Sequence, residues 1–111
     1  TGSYLYFHRK DLLYSILVTF KGLAEEDLLK IFLEGIEKWG YQQAEKYADE
    51  LHECFNLLAE YPEMGSSRKE LKETPQSFEK GAHTIFYRRV NDALIEISTL
   101  MPQRMDIKNH W

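Results

Sequence analysis

Two helical hydrophobic patterns, separated by a single glycine, constrain this chain more than any other feature. From Leu23 onward, apolar residues recur at steps of three and four, which places them on one face of a helix. These residues are Ala24, Leu28, Ile31, Phe32, Ile36 and Trp39. Gly40 then serves as a helix stop, and a second apolar stripe follows at once. Its members are Ala44, Tyr47, Leu51, Phe55 and Leu58, before Tyr61-Pro62 ends the pattern. So short a link predicts an antiparallel helix hairpin.

The segments on either side of the hairpin have the composition of strands. YSILVTF (14–20) is rich in β-branched and aromatic residues and predicts a buried strand. A polar stretch follows the second helix, and after it Lys80-Gly81 marks a turn. HTIFYRRV (83–90) then predicts a strand, Asn91-Asp92 a tight turn, and ALIEISTLM (93–101) the partner strand.

The order of these elements predicts an α+β domain. An N-terminal strand, an antiparallel two-helix hairpin and a three-stranded antiparallel sheet segment would pack with the helices on one face. Pro102 closes the last strand, and Asp106 is placed to cap a short C-terminal helix. We take residues 1–14 as an N-terminal extension, tag-derived or disordered, and residues 15–111 as a single domain.

Composition narrows the function classes. A chain of 111 residues with 43% hydrophobic residues can bury a core, and its single cysteine, Cys54, allows no internal disulfide. No stretch reaches the roughly 20 apolar residues of a membrane span, and no signal peptide is apparent, so we expect a cytoplasmic location. The histidines and the cysteine lack metal-ligand spacing, so we expect no metal and no cofactor.

The net charge of −4 argues against a general nucleic-acid binder, but the charge is uneven. Residues 1–67 carry 6 Lys+Arg and 12 Asp+Glu, a net −6, whereas residues 68–111 carry 8 and 6, a net +2. The basic excess therefore lies in the second part of the chain, which indicates a binding face there.

Five motifs follow one another along the chain. They are W-G-x-x-x-A-x-x-Y-x-x-x-L (39–51), L-A-E-Y-P-x-M-G (58–65), S-R-K-E-L (67–71), F-x-x-G-x-H-x-I-F-Y-R (78–88) and R-M-D-x-x-x-H (104–110). In this order they resemble the ParE toxins, the plasmid stabilisation branch of the RelE/ParE superfamily. The resemblance runs from about Ile16 to the C-terminus and leaves residues 1–14 without support.

The resemblance implies the toxin of a bacterial type II toxin–antitoxin module, held inactive by a ParD-like antitoxin. Several ParE-like proteins poison DNA gyrase and block replication, whereas relatives on the RelE branch are ribosome-dependent ribonucleases that cut mRNA. A ParE-like binding protein without toxicity is a third reading. A homodimer or a hetero-oligomer with the antitoxin would fit each of them.

RNA cleavage needs a base, an acid and cations for the phosphate. The candidates here are Arg68, Lys69, His83, Tyr87, Arg88 and His110. This set contains few candidates for an acid and a base, and an acidic chain would bind a ribosome weakly. We therefore favour a gyrase inhibitor that acts by binding, with no catalytic residue of its own.

The binding residues are predicted mainly from the strand 83–90. Ile85 and Tyr87 alternate onto one face, and Phe86, Arg88 and Val90 onto the other. If the helices cover the first face, the second presents an apolar surface with one cation, unless the C-terminal tail or a dimer mate covers it. The expected contacts to antitoxin or target are Arg68, Lys69, Phe86, Arg88, Arg104, Met105 and His110. For His83, a local hydrogen bond is the favoured role.

Overall fold

The computed structural model describes residues 5–7 and 17–103, and for residues 5–7 and 17 it describes the backbone alone. The strands are β1 (Leu5–Phe7), β2 (Leu17–Phe20), β3 (Ser66–Ser67), β4 (Gln76–Lys80), β5 (His83–Asn91) and β6 (Leu94–Pro102). The helices are α1 (Gly22–Trp39) and α2 (Tyr41–Glu60), and a 3-10 turn (Pro62–Met64) follows α2.

The sheet is mixed, with strand order β1-β2-β6-β5-β4-β3. β2 runs parallel to β6, and the other neighbouring pairs are antiparallel. The predicted α+β class is confirmed, but the sheet has two strands more than predicted. β3 forms within the polar stretch after α2, where Ser66 and Ser67 pair with β4. β1 forms within the segment that was expected to lie outside the domain.

The predicted helix hairpin is confirmed, with Gly40 as the only residue between the helices. Gly40 has a φ of 89°, which glycine adopts without strain, and its N–H donates to the carbonyl of Ile36 at 2.9 Å. The helices approach closely where Gly35 lies against Ala44, since a Cβ on Gly35 would stand 3.2 Å from the Ala44 Cβ. Trp39 departs from the prediction: it is 64% exposed at the end of α1 and does not join the buried face.

The main core lies between this hairpin and one face of the sheet. α2 contributes its predicted stripe, of which Leu51, Phe55 and Leu58 are fully buried. Ile85 and Tyr87 of β5 also lie in this core, as the strand pattern predicted. α1 buries only Ala24 and Gly35 completely, so its apolar residues pack at the margin of the core.

A bulge in β6 shapes the core-facing side of the sheet. Phe86 pairs with Thr99 but Tyr87 pairs with Ile97, so Ser98 is an extra residue in β6. The bulge allows Ile97 and Leu100, three positions apart, to enter the same core. Asp27 of α1 stabilises this region, since its Oδ2 accepts from the Thr99 hydroxyl at 2.5 Å and from the Leu100 N–H at 3.0 Å.

A second, smaller core covers the other face of the sheet. It consists of Leu71, Phe86 and Met101, all at most 6% exposed. Leu71 belongs to the polar stretch after β3, so this stretch folds back over the sheet and shields the ring of Phe86. The turn between β5 and β6 is formed by Asp92 and Ala93, one residue later than predicted. The predicted C-terminal helix lies outside the described residues.

Candidate functional site

The most exposed apolar surface in the described residues belongs to the helix hairpin and the turn that follows it. In the whole described part of the chain, nine large hydrophobic side chains are at least 40% exposed. Eight of them fall between Leu23 and Met64, and the ninth is Val90. The eight are Leu23, Leu29, Leu33, Trp39, Tyr41, Leu57, Tyr61 and Met64. A surface of this kind is typical of a protein–protein contact.

Charged residues border the α1 part of this surface. Leu29 and Leu33 are 59% and 54% exposed, and they lie one turn apart on α1. Glu26, Glu34 and Glu37 surround them in a shallow depression, together with a single cation, Lys30. The predicted site residues do not include this surface. The doublets Leu28-Leu29 and Phe32-Leu33 were its sequence signal, because they widen the apolar arc beyond one face.

Arg68 is engaged within the protein. Its Nε and a terminal nitrogen each lie 2.7 Å from Glu70 Oε2, and a further nitrogen donates to the Ser77 hydroxyl at 3.4 Å. The guanidinium also lies 5.9 Å from the centre of the Phe86 ring, within the range of a cation–π contact. These contacts of Arg68 therefore stabilise the segment between β3 and β4, whose Leu71 covers the second core. Its neighbour Lys69 is exposed.

Phe86 lies on the outer face of the sheet, as predicted, but it is not exposed to a partner. It does alternate to the face opposite Ile85 and Tyr87, but its side chain is 0% exposed because Leu71 and Met101 pack on it. A partner cannot reach the ring while this segment stays in place. The outward-facing pattern was read correctly from the strand, but the covering residue comes from a distant polar loop.

Arg88 remains at the surface, beyond the second core. Its Nε lies 2.8 Å from Glu96 on the neighbouring strand, and its side chain is 45% exposed. Lys21 also approaches this Glu96 carboxylate, at 4.0 Å. Lys21 also lies 3.7 Å from Glu73, so the two cations of this corner are balanced by two carboxylates. The remaining predicted contacts, Arg104, Met105 and His110, lie outside the described residues.

Tyr87, a candidate for RNA cleavage, is a structural residue in this fold. Its hydroxyl donates to the Pro62 carbonyl at 2.5 Å and accepts from the Gly65 N–H at 2.9 Å. Burial raises the pKa of the phenol above its ordinary value of 10.0, with the Gly65 hydrogen bond acting in the opposite direction. A buried, doubly hydrogen-bonded phenol is not placed to take a proton from RNA.

His83 forms the local hydrogen bond that was expected of it. Its Nδ1 lies 2.7 Å from the hydroxyl of Tyr47 on α2. Burial lowers the pKa of the imidazole below its ordinary value of 6.5, opposed by the charges of Glu34 and Asp27 on α1. His83 and Tyr47 line a cavity of about 450 Å³ between the hairpin and the β4–β5 turn. No local sequence pattern indicates this cavity, because its walls come from four separate segments: α1, α2, the β4–β5 turn with the start of β5, and the end of β6.

The ribonuclease candidates therefore do not converge among the described residues. Arg68 binds Glu70, Arg88 binds Glu96, Tyr87 binds the 3-10 turn and His83 binds Tyr47. Within residues 5–7 and 17–103, no group of three or more His, Cys, Asp or Glu residues is arranged to hold a metal ion. In the same part of the chain, no helix is long and apolar enough to cross a membrane.

Known proteins show the same sequence pattern and fold. Residues 18–107 match the family described as "ParE toxin of type II toxin-antitoxin system, parDE". A protein named Toxin ParE1 from Mycobacterium tuberculosis is 32% identical over 71 residues, which cover 64% of this chain and 72% of that protein. A protein of the same name from Caulobacter vibrioides is 32% identical over 87 residues, covering 78% of this chain and 88% of its own length.

One solved structure shares the fold. It is titled "Chromosomal ParDE TA system from P. aeruginosa" and superposes with a TM-score of 0.61 at 19% identity, covering 75% of this chain and 90% of that one. The family match spans most of the described domain, including the hairpin and both cores. The chain therefore belongs to the ParE family of toxins of type II toxin–antitoxin systems.

Proposed function

We propose that this ParE toxin is neutralised by a ParD-like antitoxin whose amphipathic segment lies along the α1–α2 hairpin, and that the free toxin inhibits DNA gyrase. The observation that carries the antitoxin site is the concentration of exposed large hydrophobic side chains in the hairpin and the turn after it, where eight of the nine in the described residues fall. An amphipathic helix laid along such a surface would bury these side chains. We place this action in the cytoplasm, where gyrase is found.

Two surfaces of the fold are candidates for the antitoxin, the outer face of the sheet and the helix hairpin. The sheet face is already covered where Leu71 packs on Phe86 and Met101. Arg68 strengthens this cover through Glu70 and Ser77. An antitoxin on this face would first have to displace that segment, whereas the hairpin offers its leucines directly. The hairpin is therefore the better site.

The charges indicate which residues the antitoxin segment should carry. Glu26, Glu34 and Glu37 border Leu29 and Leu33 with only Lys30 to balance them. A segment with apolar residues at helical spacing and basic residues at its edges would complement this rim. Acidic antitoxin residues would instead meet Lys69, or compete with Glu96 for Arg88.

Gyrase is the favoured target because the described residues favour action by binding. The tyrosine of the RNA-cleavage set is buried, and two of its cations, Arg68 and Arg88, pair with different carboxylates. No observation among the described residues favours the ribonuclease. Arg88 stays exposed in the basic part of the chain and is our leading candidate for a contact with the target or with an acidic antitoxin residue.

A supercoiling assay with the purified chain tests the target. We expect inhibition of gyrase that a ParD-like antitoxin relieves at equimolar amounts. In cells, induction should arrest growth with an SOS response while primer extension shows intact mRNA, and co-expression of the neighbouring antitoxin gene should restore growth. Discrete mRNA cuts without DNA damage would overturn the gyrase target in favour of the ribonuclease. A lack of growth arrest would overturn toxicity itself.

Charge reversal tests the basic contacts. Arg88→Glu and Arg104→Glu should each weaken antitoxin affinity or toxicity, because each replaces a cation of the basic part of the chain with an anion. Arg89→Glu is the matched control, since Arg89 is a neighbour on β5 that pairs with Asp92 at the hairpin turn. Unchanged affinity and toxicity in both Arg88→Glu and Arg104→Glu would remove these residues from the site.

A further inference from the structure

The cavity between the hairpin and the β4–β5 turn contains polar groups that the proposed function does not use. It measures about 450 Å³ and lies beside the exposed end of the hairpin, with Trp39 at 64% exposure on one wall. Most of the wall is apolar, including Ile31 and Pro102, and its polar side chains are Glu34, Lys38, Gln43, Tyr47 and His83. Its size is that of a site for one large side chain.

The hydrogen bonds of Tyr47 favour one tautomer of His83. The Tyr47 hydroxyl lies 3.1 Å from the Lys80 carbonyl, 3.2 Å from the Ala82 N–H and 2.7 Å from His83 Nδ1. The hydroxyl has one hydrogen. It can satisfy all three contacts only by donating to Lys80 while it accepts from Ala82 and from a protonated Nδ1. In the neutral ring, Nε2 is then an acceptor.

The position of this network is fixed by the turn. Gly81 has a φ of 59°, and a Cβ there would stand 2.6 Å from Cε1 of the Tyr47 ring, so the turn and the ring fit together only with glycine. Burial keeps the pKa of His83 below its ordinary value, which favours the neutral ring near pH 7. The cavity thus presents a positioned acceptor in mostly apolar surroundings.

The cavity wall disfavours a charged hydrogen-bond donor as the ligand. One carboxylate, Glu34, and one ammonium, Lys38, line the cavity, so it has no net charge to attract an ion. The Lys38 ammonium lies 5.8 Å from the centre of the Trp39 ring and would repel a second cation. An uncharged donor on a large apolar body therefore suits the mostly apolar wall better than a charged one. An indole has a single N–H donor, no acceptor and a large apolar body.

We propose that this cavity is an anchor site for a tryptophan side chain of the antitoxin, whose indole N–H donates to Nε2 of His83 while its ring packs against Trp39 and Tyr47. The assignment rests on the proposed function, because Trp39 belongs both to the cavity wall and to the exposed apolar side chains of the hairpin. Tryptophan is among the residues that most often dominate binding at interfaces.

The ligand chemistry is tested first, without any antitoxin. The full chain, labelled with nitrogen-15, is titrated with N-acetyl-tryptophanamide and with its 1-methyl-indole analogue. Saturable shifts at Ala82 and His83 are expected for the first compound, and at least about 10-fold weaker binding for the analogue, equivalent to about 1.4 kcal/mol for the lost hydrogen bond. No saturable shift in either the native chain or a Trp111→Ala variant, or equal affinity for the two compounds, would overturn the site.

Variants locate the effect. Tyr47→Phe removes the hydroxyl that fixes the tautomer, and His83→Phe removes the acceptor, so both should abolish the preference for the unmethylated indole. His52→Phe is the control, because His52 lies on the same helix and bonds to the Ala48 carbonyl at 2.8 Å. If His83→Phe fails to fold, Tyr47→Phe alone decides. A preference that survives in a folded Tyr47→Phe variant would overturn the assignment.

The occupant is tested separately. Gln103 bonds to Ala82 and Gly81 of the same turn, and Trp111 lies eight residues further on, within reach at about 3.3 Å per residue. Indole binding seen only in a Trp111→Ala variant would identify the chain's own terminus as occupant and overturn the antitoxin assignment. Antitoxin affinity at least about 10-fold weaker for Tyr47→Phe than for His52→Phe is expected, and equal affinities would overturn it.

The two proposals fail differently. Indole binding in a chain that neither arrests growth nor binds an antitoxin would refute the proposed function, and it would leave the ligand chemistry of the cavity in place. Growth arrest and tight antitoxin binding without any indole binding would refute the anchor site alone.

Discussion

The hydroxyl of Tyr87 donates to the carbonyl of Pro62 across 2.5 Å, and it accepts the N–H of Gly65 at 2.9 Å. This contact joins the two motifs Y-P-x-M-G and I-F-Y-R, which lie more than twenty positions apart in the chain. It holds the 3-10 turn after α2 against the middle strand of the sheet. The co-occurrence of the two motifs therefore has a structural cause, because each supplies the hydrogen-bond partners of the other.

Tyr87→Phe should destabilise the fold by about 1–3 kcal/mol, because the buried Pro62 carbonyl and the Gly65 N–H both lose their partner. Urea unfolding followed by circular dichroism measures the change. Tyr41→Phe is the control, since the Tyr41 hydroxyl bonds to Glu45 at the surface, and its cost should stay within about 0.5 kcal/mol. Equal effects of the two substitutions would contradict the structural role of Tyr87.

Gly65→Ala should destabilise the chain through a collision, since the new Cβ would stand 2.8 Å from Cε1 of Tyr87 and 2.9 Å from the Ser77 carbonyl oxygen. We expect a loss of about 1–3 kcal/mol, as for overpacking of a core. Gly22→Ala, with no atom within 4 Å of its Cβ, should be neutral or stabilising by up to about 1 kcal/mol. A thermal-unfolding comparison in which Gly65→Ala matches Gly22→Ala would refute this account.

Asp27→Ala should cost about 1–3 kcal/mol, because the Thr99 hydroxyl and the Leu100 N–H lose their common acceptor beside the β6 bulge. Glu26→Ala removes the same charge from the neighbouring position of α1, where the side chain is exposed, and so controls for helix propensity and helix dipole. Hydrogen exchange should show faster exchange at the Leu100 amide in Asp27→Ala only. An unchanged exchange rate at the Leu100 amide would show that Asp27 does not stabilise the bulge.

The stability of the fold should depend on pH through His83. Its pKa is lowered in the folded state, so below its ordinary value of 6.5 the unfolded chain binds more protons than the folded chain. The contribution of neutral His83 to the free energy of unfolding is complete above about pH 6.5, and it is lost as the pH falls toward the folded-state pKa. Glu34 and Asp27 on α1 moderate this loss, while Lys38 adds to it.

The pH effect is measured as the difference in unfolding free energy between pH 7.5 and pH 5.5 for the native chain and for His83→Gln. The native chain should lose more stability on acidification, because the variant lacks the titrating ring while it keeps every other carboxylate and histidine. His52→Gln should behave like the native chain. An identical pH dependence of the native chain and His83→Gln would show that His83 does not carry the effect.

The helix hairpin can be predicted from local sequence, because its two apolar stripes and the glycine between them act locally. Local sequence also predicts the β5–β6 pair and the side of β5 that enters the main core, since alternation places Ile85 and Tyr87 together. The family followed from motifs whose order along the chain could be read directly. Each of these inferences depends on neighbours within a few residues.

Which surfaces stay uncovered by other segments depends on the tertiary structure. The strand pattern placed Phe86 on the outer face correctly, but only the folded chain brings Leu71 from a polar loop to cover it. The same fold exposes Leu29 and Leu33 and assembles Tyr47 with His83 around a cavity. Burial depends on segments far apart in the chain, and no local pattern records which of them will meet.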